Sequence, residues 1–304
     1  MGKYKRRILL AVDGSDQAFE AVRYTSQLFP PNRLEVVLFH VMSKIPESFW
    51  DIEKNPTFRH QLAPVAAWAT QQQAAMQEFM EKSRQLFVEQ GFPEEAVSIK
   101  SQERQVGIAR DIAHEAQKEY DLVVVGRWGV SKLKDLVWGS IANKLVGHLI
   151  HIPLCVVGGA PEAGKILVAL DTSEEAMATV DYLGTMVDAS DWGITLFHVI
   201  RGLYFVPPES GEILQDIEGA VETFLEQAVG RLEKAGLRPD QISTKTVSGV
   251  ASRAKAIVEE AKDSGCGTIV VGRRGLSRVE EFFIGRVSKK VMQLAQEMAV
   301  WVVS

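Results

Sequence analysis

The chain contains itself twice. The run Ile8-Leu9-Leu10-Ala11-Val12-Asp13-Gly14-Ser15 returns as Ile166-Leu167-Val168-Ala169-Leu170-Asp171-Thr172-Ser173, and Leu38-Phe39-His40-Val41 returns as Leu196-Phe197-His198-Val199, both at an offset of 158. Further on, Val124-Val125-Gly126-Arg127-Trp128-Gly129 returns as Val270-Val271-Gly272-Arg273-Arg274-Gly275 at an offset of 146, so the first copy holds 12 more residues between its second and fourth strands. A period this long lies far above the roughly 20–50 residues of solenoid repeats, so each copy is a whole domain rather than one unit of a stack. The boundary falls between residues 159 and 160, giving domains 1–159 and 160–304.

Within each copy, short apolar runs rich in β-branched residues alternate with amphipathic stretches. In the first copy Ile8–Val12, Leu34–Val41, Val97–Lys100, Leu122–Val125 and Leu154–Val157 read as buried parallel strands. Asp16–Leu28, Ala66–Gln90, Ile108–Lys118 and Ser140–Leu149 read as the helices between them. The second copy offers strands at Ile166–Leu170, Gly193–Val199, Ile242–Thr246, Thr268–Val271 and Val300–Val303. Ser15 and Ser173 stand where a helix N-cap belongs. Alternation of strand and helix requires right-handed crossovers, so the predicted class is α/β with two doubly wound, open, parallel five-stranded sheets.

Composition narrows the function. With 46% hydrophobic and 24% charged residues over 304 positions, the chain has the balance of ordinary globular domains. No apolar run reaches the roughly 18 residues of a membrane span, and Ile8–Val12 is too short for a secretion signal. A cytoplasmic protein without membrane contact is expected. Cys155 and Cys266, each in or beside an apolar run, read as buried, inert thiols. Residues 1–159 carry 19 Lys and Arg against 18 Asp and Glu, and residues 160–304 carry 15 against 21. The absence of a basic surplus argues against a nucleic-acid partner but leaves open a small anion held by backbone amides.

In an open parallel sheet the ligand site lies beyond the carboxyl ends of the strands, where the strand order reverses. Two turns of each copy are expected there: the one after the first strand, with Asp13 or Asp171, and the one after the fourth, with Gly126 or Gly272. The latter reads Gly126-x2-Gly129-x9-Gly139-Ser140. Glycines let backbone N–H groups approach a phosphate closely. Ser140 would open a helix whose N-terminus supplies free donors and the positive end of a dipole. Neither the Gly-x4-Gly-Lys-Ser/Thr loop nor the Gly-x-Gly-x2-Gly fingerprint is present. Glycine after a buried strand is common as a plain turn former, so the weight rests on the spacing to Gly139-Ser140 behind an Asp-tipped first strand.

On these motifs the chain resembles a tandem universal stress protein along essentially its whole length. ATP-binding members of that family carry Gly-x2-Gly-x9-Gly-Ser/Thr after the fourth strand, matched here by Gly126, Gly129, Gly139 and Ser140. The family also uses an Asp at the first strand tip and a hydrophobic residue at the second around adenine and ribose, places held here by Asp13 and Val41. The resemblance implies strand order 3-2-1-4-5 and an adenine nucleotide, ATP or AMP with or without Mg, in the first copy. The contact residues implied are Ala11, Asp13, Val41, Gly126, Arg127, Gly129, Gly139, Ser140 and Ile141. In the second copy the corresponding set is Asp171, Val199, Gly272, Gly275, Gly285, Arg286, Val287 and Ser288, with Arg286 replacing the serine. Arg286 either places a guanidinium on the phosphates or fills the cradle and excludes them. With Arg273, Arg274 and Arg278 nearby, this loop is either an anion site or a solvated basic turn.

The resemblance also implies pairing through the last strands, Leu154–Val157 and Val300–Val303, as an internal pseudo-dimer about a pseudo-twofold axis or as a homodimer. The Gly158–Gly164 linker reads as a flexible tether. Other features point less far. His40 and His198 read as structural strand-end residues, and His148 with His151 lack a third metal ligand nearby, so no protein-ligated metal is expected. Ser43–Pro64, with Phe49, Trp50 and Phe58, and with Trp68 just beyond, reads either as a partly ordered cover over the first site or as padding for the sheet edge or the long helix, the cover being favoured. No catalytic nucleophile and base stand out. The expected role is a nucleotide-binding regulator in stress adaptation with an unidentified protein partner, the alternatives being a slow ATPase or a nucleotide-independent scaffold.

Overall fold

The computed structural model describes residues 6–42, 59–129, 139–187, 191–200, 211–275 and 284–304. The first copy runs β1 (Arg6–Ala11), α1 (Asp16–Leu28), β2 (Leu34–Met42), α2 (Arg59–Glu89), β3 (Val97–Glu103), α3 (Ile108–Ala116), β4 (Leu122–Gly126), α4 (Ser140–His148) and β5 (Leu154–Val157). The second repeats the plan as β6 (Lys165–Leu170), α5 (Glu174–Val187), β7 (Gly193–Val199), α6 (Gly211–Lys234), β8 (Ile242–Val247), α7 (Arg253–Asp263), β9 (Thr268–Gly272), α8 (Arg286–Leu294) and β10 (Ala299–Val303).

Each copy has the order 3-2-1-4-5 with parallel neighbours, and the two half-sheets join into one sheet of ten strands, β3-β2-β1-β4-β5-β10-β9-β6-β7-β8. The single antiparallel step is β5 against β10. The burial pattern explains this order. The Leu-Val-Val-Val run of β4 and all of β5 and β10 are buried, so these strands need cover on both faces and both edges. The strands left at the outer edges, β3 and β8, carry exposed polar residues such as Ser98 and Lys245, which suits an edge that must not recruit another chain.

Helices cover both faces, and each face carries one apolar layer that runs through both copies. One layer joins Val22 of α1, Met80 and Phe87 of α2, Val180 of α5 and Leu225 of α6. The other joins Ile112 of α3, Leu145 of α4, Ile257 of α7 and Val291 of α8. Helix α2 starts at Arg59, inside the stretch read as an insertion. Pro64 therefore marks no helix boundary. The start of α1 is fixed as expected: Ser15 Oγ accepts the Ala18 N–H at 3.1 Å.

The junction is held by side chains as well as backbone. Trp301 of β10 lies opposite Cys155 of β5. These two positions are themselves 146 residues apart, so the pseudo-twofold axis passes between them. The Trp301 ring is fully buried, with Phe29 at 6.1 Å and Tyr182 at 6.4 Å between centroids. Its Nε1 donates to Tyr24 Oη at 3.1 Å, and Tyr24 in turn shares a 2.7 Å hydrogen bond with Thr268 Oγ1. The equivalent tyrosine of the second copy, Tyr182, donates to the Asp121 carbonyl at 3.0 Å. Cys155 and Cys266 are free and buried, and burial pushes both thiols up, away from the reactive thiolate.

The linker is not the loose tether expected. The Gly158 N–H donates to the Met298 carbonyl at 3.1 Å, and a Cβ at Gly158 would run into the Gln296 carbonyl. Gly159, at φ +57, lies against Glu297. These glycines let the linker backbone pack directly on the second copy.

Because both apolar layers cross the junction, the two copies are expected to unfold together. Trp301→Ala should cost about 3–5 kcal/mol and leave a single urea transition for the whole chain. Two separable transitions, or a loss confined to the second copy, would count against a shared core.

Candidate functional site

The turn after β1 and the turn after β4 meet at the carboxyl edge of the sheet. Asp13 follows β1 and is fixed by its own turn: Oδ1 accepts the Ser15 N–H at 3.1 Å and the Ser15 hydroxyl at 2.6 Å. Its other oxygen, Oδ2, lies against Gly129, where an added Cβ would collide with it. Gly139 closes the second turn by donating its N–H to the Arg127 carbonyl at 2.9 Å, and a Cβ there would strike that carbonyl. Both glycines are thus required by close approach. Gly126 is tight as well, since its Cβ would sit 3.0 Å from the Gln17 carbonyl.

Helix α4 starts at this point. Gly139 provides no side-chain cap, so the first-turn N–H groups receive no acceptor from a capping residue. Ser140 is exposed at the helix start and Ile141 is half-buried. Ala11 and Val41, at the ends of β1 and β2, are 8% and 6% exposed and offer only an edge. The described residues thus bring one carboxylate, one hydroxyl and the positive end of a helix to the same edge of the sheet.

The second copy repeats the arrangement. Asp171 Oδ1 accepts the Ser173 N–H at 3.2 Å and the Ser173 hydroxyl, and Gly275 abuts its Oδ2. Gly285 donates to the Arg273 carbonyl at 2.7 Å, and α8 starts without a side-chain cap. A Cβ at Gly285 would lie 3.4 Å from the Arg273 carbonyl, an ordinary contact, so this turn is more open than its counterpart. Arg286 is exposed and does not plug the turn; Val287 is half-buried and Val199 is 7% exposed. The Ser288 hydroxyl donates to the Gly272 carbonyl at 2.7 Å, so it is spent on the fold rather than offered to a ligand.

Two arginine side chains point away from their turns. Arg127, expected as a nucleotide contact, is 1% exposed, with its side chain turned away from the turn it belongs to. Its Nη1 and Nη2 donate to the Met292 and Ala295 carbonyls at 2.6 and 2.8 Å, at the C-terminal end of α8 in the other copy. Arg273, expected in an anion site or a solvated turn, is 5% exposed and does the reciprocal job. Its Nη1 donates to the Val146 carbonyl at 2.7 Å and its Nη2 to the Leu149 carbonyl, at the end of α4. Burial pushes both guanidinium groups down to about 10, which leaves them charged at neutral pH and well placed on helix C-terminal carbonyls. One signal was available in the sequence: Gly-Arg is kept in both copies while the next residue changes from Trp128 to Arg274. Arg274 is exposed, and Arg278 lies outside the described residues.

The cover suggested by Phe49, Trp50 and Phe58 also lies outside the described residues, while Trp68 on α2 is 58% exposed. Among the described residues no three His, Cys, Asp or Glu side chains are grouped to hold a metal, and no helix is long and apolar enough to cross a membrane.

Comparison with known proteins bears on the family and the fold. The model of the universal stress protein family matches residues 5–158 and again residues 162–304. The chain is 24% identical over 296 residues to a universal stress protein of Mycolicibacterium smegmatis, covering 95% of this chain and 94% of that one. It is 28% identical over 142 residues to universal stress protein YxiE of Bacillus subtilis, covering 43% of this chain and 93% of that one. Among solved structures, a universal stress protein from Archaeoglobus fulgidus shares the fold over 98% of both chains, with a TM-score of 0.62 at 16% identity.

His40 and His198 tie the ends of their strands to the neighbouring turn. Nδ1 of each donates to a backbone carbonyl, that of Val12 at 2.9 Å and that of Leu170 at 3.0 Å. Burial lowers the pKa of His198, against the opposing pull of the Leu170 hydrogen bond and the Asp171 carboxylate. A histidine whose folded pKa lies below its unfolded value of about 6.5 favours the folded state above that pH and ceases to do so as pH falls through the folded value. The urea midpoint should therefore drop between about pH 7 and pH 5, and His198→Asn should flatten part of that drop. An identical pH profile in the variant would show that His198 contributes nothing to it.

Proposed function

Since the chain belongs to the universal stress protein family, we propose that it is a regulatory stress-response protein that binds an adenine nucleotide, ATP or AMP, in the turns of its first copy. The observation that carries this reading is the meeting of Asp13 with Gly129 beside the uncapped start of α4 at Gly139-Ser140. Phosphate oxygens would take the first-turn N–H groups and the Ser140 hydroxyl, favoured by the helix dipole. Ala11 and Val41 would border the base and ribose, near Asp13. A Mg ion would arrive on the phosphates and keep most of its waters.

The role rests on binding, with slow hydrolysis as the alternative. His40 and His198, the repeated histidines nearest the turns, each commit Nδ1 to a backbone carbonyl. Binding itself is the output: occupancy of the turns changes a surface that a protein partner reads. The cytoplasm is the compartment that supplies such a ligand.

The second copy binds more weakly and differently. Its Asp171, Gly272, Gly275 and Gly285 keep the frame, while exposed Arg286 replaces the serine hydroxyl with a cation. Arg286 can reach the phosphates only as a charge-assisted contact at the rim.

Calorimetric titration with ATP and AMP tests this. One tight and one weak or silent site are expected per chain. Gly139→Val, whose side chain would displace the Arg127 carbonyl, should remove the tight site with the circular dichroism spectrum unchanged. Arg286→Ser should make the two sites more alike. Unchanged affinity in Gly139→Val, or two identical sites in the unaltered chain, would overturn the assignment.

A further inference from the structure

Residue 127 belongs to two structures at once. Its backbone is the floor of the first phosphate turn: the carbonyl accepts the Gly139 N–H at 2.9 Å, and its own N–H donates to the Val157 carbonyl at 2.7 Å. Its side chain grips the last carbonyls of α8, and the first residue of that helix, Arg286, opens the second turn. Residue 273 is built the same way. Its carbonyl accepts the Gly285 N–H at 2.7 Å, its N–H donates to the Val303 carbonyl at 2.6 Å, and its guanidinium grips the last carbonyls of α4. The carbonyls gripped, Val146 and Leu149 in one copy and Met292 and Ala295 in the other, are 146 residues apart in each case.

Each of these nine-residue helices is therefore a rod about 13 Å long, with a phosphate turn at its positive end and the other copy's arginine at its negative end. The two rods and two arginines close a circuit: first turn, α4, Arg273, second turn, α8, Arg127, first turn. Both guanidinium groups are buried, and their planar, fixed forks leave little slack. An anion on the first-turn N–H groups polarises the hydrogen-bond chain of its helix and strengthens the terminal carbonyls as acceptors. The arginine then holds more firmly, and with it the backbone floor of the other turn. A second anion finds a turn already ordered and meets a smaller entropic cost.

We propose that Arg127 and Arg273 couple the two phosphate turns, so that an anion bound in one raises the affinity of the other. This rests on the phosphate-binding reading of the turns. The coupling is reciprocal in free energy, but the anchors are unequal. Arg273 Nε donates to Ser304 Oγ at 3.0 Å, whereas Gly158 stands at the equivalent place in the first copy and Arg127 Nε has no partner among the described residues. Replacing Arg127 removes two hydrogen bonds and one unsatisfied donor, which makes it the milder of the two substitutions.

The test uses the full chain carrying Gly275→Val, a side chain that collides with Asp171 and closes the second turn, so that ATP fills only the first. Hydrogen exchange is followed at the amides of residues 285–289, with and without saturating ATP. ATP should slow exchange there about fivefold, and Arg127→Met with Arg273→Met should abolish the slowing at an ATP concentration that calorimetry shows to fill the first turn of the variant. Lysine at both positions, which can reach one carbonyl but not two, should restore part of it and keeps the charge if the methionine pair fails to fold. Slowing that persists without the arginines, or none while ATP is bound, overturns the coupling. If calorimetry finds no ATP in the first turn, the nucleotide reading has failed and the coupling is judged without ligand. Ser140→Asp then supplies the negative charge at the start of α4, and it must slow exchange at residues 285–289 only when Arg273 is present. No slowing, or slowing independent of Arg273, overturns it.

Discussion

The antiparallel pairing of β5 with β10 is the constraint on which the rest depends. Each strand is apolar on both faces and would be an exposed, aggregation-prone edge if its copy stood alone. Placed against each other, they move the apolar edges to the middle of a ten-stranded sheet and leave the polar β3 and β8 outside. The same step brings the C-terminal ends of α4 and α8 within reach of the opposite copy's glycine turns. Buried arginines become affordable only there, because helix carbonyls supply the acceptors that water would otherwise provide.

Around each turn the backbone and the side chains divide the work. Close backbone approach is enforced by Gly129 and Gly139, the carboxylate is set by the Asp13–Ser15 turn, and the strand ends are tied by His40. The second copy keeps the Gly275, Asp171, Ser173 and His198 relations, but its Gly285 turn is more open and the serine at the helix start is replaced by Arg286. Frame and ligand chemistry have thus been separated: the frame is common to both copies and the contact set is not.

Much of this was legible in the residues. The offset repeats identified two domains, the β-branched runs located the strands to within three residues, and the glycine spacing located the turns. Arg127 was implied as a contact by the resemblance alone, whereas the place of its side chain is decided by Met292 and Ala295, which lie 165 and 168 residues away. No local pattern reports a contact of that range. The linker was misread for a similar reason. Glycines in a row suggest slack, but here they admit the Gln296 backbone and Glu297 to close contact. Helix α2 shows the limit of a single residue as punctuation, since Pro64 lies inside it.

The Trp301–Cys155 pair on the pseudo-twofold axis carries a consequence for how such a chain can change. In a dimer of identical subunits, any residue on the axis faces a copy of itself, so only residues that tolerate their own likeness can occupy it. Two tryptophans would overfill this place and two cysteines would leave it hollow. Joining the copies in one chain lets the two sides of the axis be written separately, and a large ring can then be matched to a small thiol. The match ends the interchangeability of the halves: each has become the specific complement of the other, and neither retains the face it would need to pair with itself.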